Sequence, residues 1–271
     1  MTSGLIARVL MASGLVATLL FILAPILIVV LGSFTREQYL SLPTTGFSLR
    51  YYKAIGGHPE VVDSFIVSAE LGIVAALVST VLGTMAALSL NPRLAGREPP
   101  FANAVTLVLL SPLMVPSIII AMGILQFFSL MKVASGTVTL VAGHVVITLP
   151  YVVRMVTASL VLMERNIEWA AANLGAAPLR TLWHVVIPNI RGGIAAGGLF
   201  AFMVSFDAVT LSIFLASPTT KPLPVRLYDF VENAIDPIVA SLSTLLILLS
   251  VVLIALLERI YGVHRIFGTP R

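Results

Sequence analysis

The sequence predicts an all-α integral membrane protein, a single domain of six transmembrane helices with both termini cytoplasmic. Three observations carry that expectation. Of the 271 residues, 58% are hydrophobic and 10% charged, with a mean hydropathy of +1.05, far more apolar surface than one soluble core can bury. Five runs carry no charge at all (Val9–Leu31, Leu71–Leu90, Phe101–Met131, Val133–Val153 and Pro237–Leu257), and a sixth, Gly192–Ser217, carries only Asp207. Each reaches the roughly 20 residues a helix needs to cross about 30 Å of hydrocarbon. Finally, placing the N-terminus inside puts ten Lys and Arg residues on the inner face (Arg8, Arg93, Arg97, Arg154, Arg165, Arg180, Arg191, Arg259, Arg265, Arg271) and six on the outer face (Arg36, Arg50, Lys53, Lys132, Lys221, Arg226). Short loops rich in Lys and Arg stay cytoplasmic, which sets the orientation.

The elements follow in order. Span one covers residues 9–31. Arg8 and the small residues after the run resemble a signal peptide, but 23 uncharged residues exceed an h-region and "LGSFT" is a poor cleavage site, so the helix is expected to remain. Span two covers 62–90, and the turn-forming "NPRLAGREPP" closes its inner end. Span three, 101–130, contains "SPLMVPS"; Pro112 and Pro116 each remove a backbone hydrogen bond and kink the helix. In lipid such breaks persist where neighbouring helices or a watery cavity satisfy the freed carbonyls. Span three is therefore a candidate to line a pathway, with kinks that serve packing alone as the alternative, as for Pro25 and Pro150.

"KVASG" turns the chain into span four, 133–160, and span five covers 191–215. It opens with "RGGIAAGGLFA", whose Gly193 and Gly197 lie one turn apart and permit close approach of another helix. Span six covers 237–260. The longest loops, 32–62 and 216–236, face outward and are too short for a second core. No internal repeat supports an inverted-repeat transporter.

Several chemistries are excluded. The chain has no cysteine, so disulfides, thiolate catalysis and cysteine metal sites are out. Its net charge of +4 and pI near 9.7 come from scattered residues, which argues topology and not nucleic acid. A Gly-rich Lys-Ser/Thr phosphate loop is missing, so ATP is not bound by this chain. Neither Gly-x-Ser-x-Gly nor His-Glu-x-x-His occurs, against an intramembrane hydrolase. A stand-alone secondary transporter or channel stays open as an alternative.

The cytoplasmic stretch 163–190 reads like soluble protein. In "EWAAANLGAAPLRTLWHVVIPNI", Ile167, Ala170, Ala171 and Leu174 follow helical spacing up to Gly175, which suits the left-handed residue that ends a helix. A second helix starts with Pro178 in its first turn, and Leu179, Leu182, Trp183 and Val186 repeat the spacing until Pro188, where it is expected to stop. Both pieces are too short to be stable alone. They must dock, either on the membrane surface as an amphipathic pair or in a partner's groove; an alanine-rich stripe with little Lys or Arg favours the partner.

This stretch resembles the EAA loop of binding-protein-dependent ATP-binding-cassette importer permeases: Glu-Ala-Ala, three residues, Gly, nine residues, Ile-x-Leu-Pro. Ala170, Ala171, Gly175 and Pro188 match in position, and Val185 and Ile187 are conservative replacements. Trp169 stands where the family has glutamate, with Glu168 one residue earlier. "SFDAVTLSIFLASPTTKPLPVRLYDFV", residues 205–231, resembles spermidine/putrescine-type permeases.

The resemblance implies a type I importer permease fold in a bacterial inner membrane, paired with a second permease subunit, two copies of an ATPase and a periplasmic solute-binding protein. It makes Glu168, Trp169, Ala170, Ala171, Leu174, Gly175, Ala176, Pro178 and Pro188 the ATPase-coupling residues. ATP and Mg2+ would be held by the partner, and this chain is expected to hold no cofactor or metal.

Only Glu70 and Asp207 are acids lying clearly inside spans, with Asp63 marking the outer interface. Glu70 lies roughly 10 Å past Asp63, and Asp207 about 22 Å along its helix from Gly192, so both fall in the outer half. A carboxylate in hydrocarbon needs water, a partner or a cation. Asp207, Ser205, Glu70, Pro112 and Pro116 are the pathway candidates, with structural hydrogen bonding as the alternative for either acid. His144 and Gln126 are expected to make helix-packing hydrogen bonds, and Tyr228, Asp229, Glu232 and Asp236 form a solvated outer loop. Acids without a deep Lys or Arg favour an amine solute, a polyamine such as spermidine or putrescine. An opine, 2-aminoethylphosphonate, 4-aminobutyrate and ferric iron remain alternatives.

Overall fold

The computed structural model describes residues 2–39, 44, 46–95, 100–134, 136–233 and 236–261. The described chain is helical: α1 (Thr2–Gly32), α2 (Arg50–Ile55), α3 (Pro59–Ser89), α4 (Pro92–Ala95), α5 (Ala102–Leu110), α6 (Ser117–Leu130), α7 (Thr137–Leu162), α8 (Arg165–Asn173), α9 (Pro178–Thr181), α10 (Ile187–Phe206), α11 (Val209–Leu215), α12 (Leu223–Asn233) and α13 (Ile238–Tyr261). Five helical stretches are long and apolar enough to span: Ala7–Gly32, Pro59–Ser89, Thr137–Leu162, Pro178–Phe206 and Ile238–Leu256. A bent pair, Ala102–Leu113 with Ser117–Leu130, turns through 104° and makes a sixth if the two helices together form one broken span.

Two compact units divide the chain, Met1–Val62 with Leu227–Leu249, and Asp63–Arg226 with Ser250–Arg271. In the first, the most apolar window of α1 has no buried residue, while the chain just after it is tied down. Ser33 Oγ lies 2.6 Å from the Tyr52 hydroxyl, and Ser241 Oγ donates to the Ser33 carbonyl at 3.1 Å.

The second unit has two apolar centres. One gathers Ala76, Ala87, Val152, Val156, Leu160, Met163, Val186, Ile190 and Ala201. The other joins Leu71 of α3, Ala121 of α6, Leu140 of α7, and Leu211 and Leu215 of α11. The first centre depends on small residues, as the glycine spacing predicts. A Cβ on Gly197 would sit 3.1 Å from Val152 Cα, and one on Gly193 would be 2.9 Å from the Met155 carbonyl oxygen. Helices α7 and α10 therefore touch backbone to backbone.

Four expectations change. Span three is not one kinked helix: Ser111–Leu113 forms a 3-10 turn with Pro112 in its first positions, and Pro116 is extended (ψ 132°) before α6. Two prolines four residues apart remove enough ladder bonds for the chain to turn sharply. Pro188 does not stop the second helix of the 163–190 stretch, since Pro178–Phe206 is continuous. Span five ends at Phe206, short of the expected 215. Residues 223–233 of the expected outer loop are the helix α12, started by the Pro222-Leu-Pro224 run.

Candidate functional site

The turn after α8 is built as its sequence suggests. Gly175 takes φ +80°, its N–H donates to the Ala172 carbonyl at 2.9 Å, and the Ala176 N–H reaches back to the Ala171 carbonyl at 3.0 Å. These are the paired bonds of a Schellman ending. Ala177 is extended, and Pro178 then opens α9.

From there the helix runs into the membrane without a break, because the turn Leu182–Val186 is a π-turn. Pro188 has no N–H and its ring would crowd the carbonyl four residues back. Widening the preceding turn, with the Ile187 N–H donating to the Leu182 carbonyl, relieves that conflict. Two side chains cover the loosened ladder: Asn189 Nδ2 donates to the Val185 carbonyl at 2.7 Å, and His184 Nδ1 to the Arg180 carbonyl at 3.1 Å.

The apolar residues of the stretch divide between the body and the surface. Val186 is fully buried and Leu182 packs beside it in the first apolar centre, as does Met163 at the end of α7. Trp169 (75% exposed), Leu174 (88%), Leu179 (67%) and Trp183 (59%) stay outside. Each would gain about 2 kcal/mol on full burial, and together they form an exposed apolar surface next to the buried Val186. Glu168 and Trp169 also border a cleft of about 690 Å3 lined by Asn91, Thr106, Val153 and Thr157. Ala170 is exposed, Ala176 half-buried and Pro188 exposed.

The pathway candidates fall in different settings. Asp207 caps α10 at an interruption of the span. Its N–H donates to the Met203 carbonyl at 3.1 Å, and its carbonyl accepts from Val209 at 2.8 Å around Ala208 (φ −74°, ψ 70°), the geometry of an inverse γ-turn. The Asp207 side chain is exposed. Ser205 is buried, 2.7 Å from His144 Nδ1. Glu70 is exposed on α3, one residue before the buried Leu71. The Phe65–Phe206 ring pair, 5.8 Å apart, sets α3 against the end of α10, so Glu70 lies one and a half turns beyond the level of Asp207's neighbour. Pro112 and Pro116 sit at the α5–α6 bend, away from these acids in sequence and element. Ser205 and Asp207 thus share the end of α10 but differ in setting, one buried against His144 and the other exposed, and the other candidates lie on separate helices.

The chain matches, over residues 79–264, the family described as the binding-protein-dependent transport system inner membrane component. It belongs to that family.

This permease is 29% identical to the spermidine/putrescine transport system permease protein PotC of Haemophilus influenzae over 241 residues, 89% of this chain and 91% of that one. It is 28% identical to the putrescine transport system permease protein PotI of Escherichia coli over 235 residues, 84% of this chain and 82% of that one. Against the putative 2-aminoethylphosphonate transport system permease protein PhnV of Salmonella paratyphi A it is 27% identical, over 92% and 94% of the two chains. A crystal structure of a bacterial ABC transporter that imports the acidic polysaccharide alginate has the same fold, with a TM-score of 0.69 at 13% identity over 93% of this chain and 96% of that one. The protein is thus an inner-membrane transport subunit and not an enzyme.

Two features of the permease escape a reading of the sequence. Arg154 follows the uncharged run that ends at Val153 and counts among the inner-face charges, yet α7 continues to Leu162 and places it about 12 Å inside the helix end. Ser212 and Thr139 read as ordinary span hydroxyls, but both are buried, and Ser212 is bonded across to His144 of α7. Only the pairing of helices could reveal them.

Proposed function

We propose that this permease is one half of the membrane pathway of an ATP-driven importer and that its solute is a polyamine. A second permease would complete the pathway, two ATPase subunits would seat on the 163–190 stretch from the cytoplasm, and a periplasmic protein would deliver the solute. The observation that carries this reading is mechanical. An exposed apolar knob, Trp169 to Trp183, continues through an unbroken helix into a membrane span and roots in the core through Val186. A push on the knob would move α10 as a rod. Glu168, Trp169, Ala170, Ala171, Leu174, Gly175, Ala176 and Pro178 would form the seat, and Pro188 the joint.

For the solute, Asp207 and Glu70 offer exposed carboxylates with no hydrogen-bond or ion-pair partner among the described residues. These suit ammonium groups, consistent with the names of the relatives. A second reading, 2-aminoethylphosphonate, is favoured by Arg154, whose exposed guanidinium on α7 could meet a phosphonate.

Purification of the complex from its native membrane tests the proposal. A co-purifying ATPase and second permease, with a polyamine in the accompanying binding protein, are the expected result. An aminophosphonate in that protein selects the second reading. Recovery of the chain alone, in detergents that preserve such complexes, overturns the importer.

Asp207→Asn keeps the shape and removes the charge. The KM for spermidine uptake in proteoliposomes is expected to rise about tenfold, the loss of one charge-assisted contact of about 1.5 kcal/mol. An unchanged KM would remove Asp207 from the pathway.

A further inference from the structure

The interruption at Asp207–Ala208 separates two buried serines, Ser205 at the end of α10 and Ser212 inside α11. One side chain reaches both. His144 of α7, with no exposed surface, lies 2.7 Å from Ser205 Oγ through Nδ1 and 3.2 Å from Ser212 Oγ through Nε2. A neutral imidazole offers one donor and one acceptor, and a serine hydroxyl can play either part, so both bonds form together in either tautomer.

The base of this clasp is itself fixed. The His144 carbonyl accepts from Thr148 Oγ1 at 2.7 Å, and Thr148 Oγ1 lies 2.7 Å from Ser79 Oγ of α3. Farther up α7, Thr139 Oγ1 donates to the Gly136 carbonyl at 2.8 Å and lies 3.4 Å from the Leu215 carbonyl at the far end of α11. Among the described residues, His144 is the one side chain hydrogen-bonded to both α10 and α11. Across the break the backbone otherwise carries the γ-turn and a 3.3 Å bond from the Ala208 N–H to the Ser205 carbonyl, and Ala208, at the start of α11, supplies no side-chain cap.

We propose that His144 is a positioning residue: it clasps α10 to α11 across the break and so fixes where the Asp207 carboxylate stands. Its effect on solute rests on the polyamine reading above; the clasp itself does not.

The natural chain has no cysteine, so Ala208→Cys introduces the one thiol of this chain at the break, and its labelling is read on the band of this subunit. In the assembled transporter in proteoliposomes, His144→Leu is expected to raise the rate of maleimide reaction at that thiol about tenfold, the effect of losing a buried hydrogen bond on a local opening equilibrium. A control thiol from Met155→Cys, on α7 where it faces Gly197, should react at an unchanged rate. His144→Gln, which keeps an amide near the Nε2 position, should give an intermediate rate. Ser205→Ala and Ser212→Ala should each raise the rate, and neither should add to His144→Leu; these two serve alone if the leucine variant does not insert.

An unchanged rate at residue 208, an equal rise at residue 155, or additive serine effects would each overturn the clasp. In spermidine uptake, His144→Leu should raise KM about tenfold with kcat within about twofold, and should not add to Asp207→Asn. A fall in kcat at constant KM overturns the positioning role. If the wild-type transporter takes up no spermidine, the polyamine reading fails and the thiol rates still decide the clasp.

Discussion

Gly193→Val is expected to remove folded permease from the membrane. A Cβ at this position would stand 2.7 Å from Ser159 Cβ and 2.9 Å from the Met155 carbonyl oxygen. Rotation can move the Ser159 hydroxyl, but its Cβ and the Met155 carbonyl are fixed to the α7 backbone and cannot move without shifting that helix. Overpacking costs about 1–3 kcal/mol where side chains can yield, and valine adds two methyl groups against backbone. The first apolar centre lies along this same crossing, with Val152, Val156, Ile190 and Ala201 contributed by α7 and α10. Gly193→Ala should show an intermediate loss. Gly123→Ala, where a Cβ meets nothing within 4 Å, should be neutral or stabilising by about 1 kcal/mol through helix propensity. Fluorescence-detected size exclusion and thermal unfolding in detergent measure all three. A Gly193→Val protein that elutes normally, with a Tm within about 2 °C of wild type, would show that the two helices can separate at little cost.

Gly193 also illustrates what the sequence makes legible. Uncharged runs of about 20 residues mark the membrane helices because a helix satisfies its own backbone in hydrocarbon. Small residues one turn apart mark a close crossing, and the structure places that crossing where Gly193 and Gly197 predict it. Gly175 and Pro178 end and restart helices for equally local reasons.

The remainder depends on partners that periodicity does not name. A proline announces a lost hydrogen bond and nothing about how the chain answers it. At Pro112 and Pro116 the helix turns through 104°, whereas at Pro188 it widens by one residue and continues. Likewise the second stripe of the 163–190 stretch looks uniform in sequence, yet Leu182 and Val186 go inward and Leu179 and Trp183 outward. Serines in a span look alike too. That Ser205 and Ser212 share His144 follows from the packing of α7 against both α10 and α11, which no local pattern encodes.

Gly175→Val is expected to uncouple the permease while leaving it folded. The two glycine substitutions differ in kind. At 193 the space is full, but at 175 an added Cβ meets nothing within 4 Å, so the entire cost lies in the backbone. Gly175 sits at φ +80°, where an L-residue loses about 1–2 kcal/mol and a β-branched one is a true outlier. That penalty falls on a turn outside the spans, between α8 and α9. The turn can escape it by giving up the Ala176 to Ala171 bond and swinging α8, with Trp169 and Leu174, away from α9. Insertion and Tm should stay at wild-type values, while ATPase co-purification and solute uptake fall at least about tenfold, the equivalent of one misplaced apolar anchor. A series separates the causes. If the αL backbone is what matters, the loss should rise from Asn through Ala to Val, since asparagine tolerates that region. If crowding of a docked partner matters instead, Ala should be harmless and Asn harmful. A valine variant that retains the ATPase and imports at the wild-type rate would sink the assignment of this turn to coupling, because it would show that the knob need not hold its shape for the rod behind it to move.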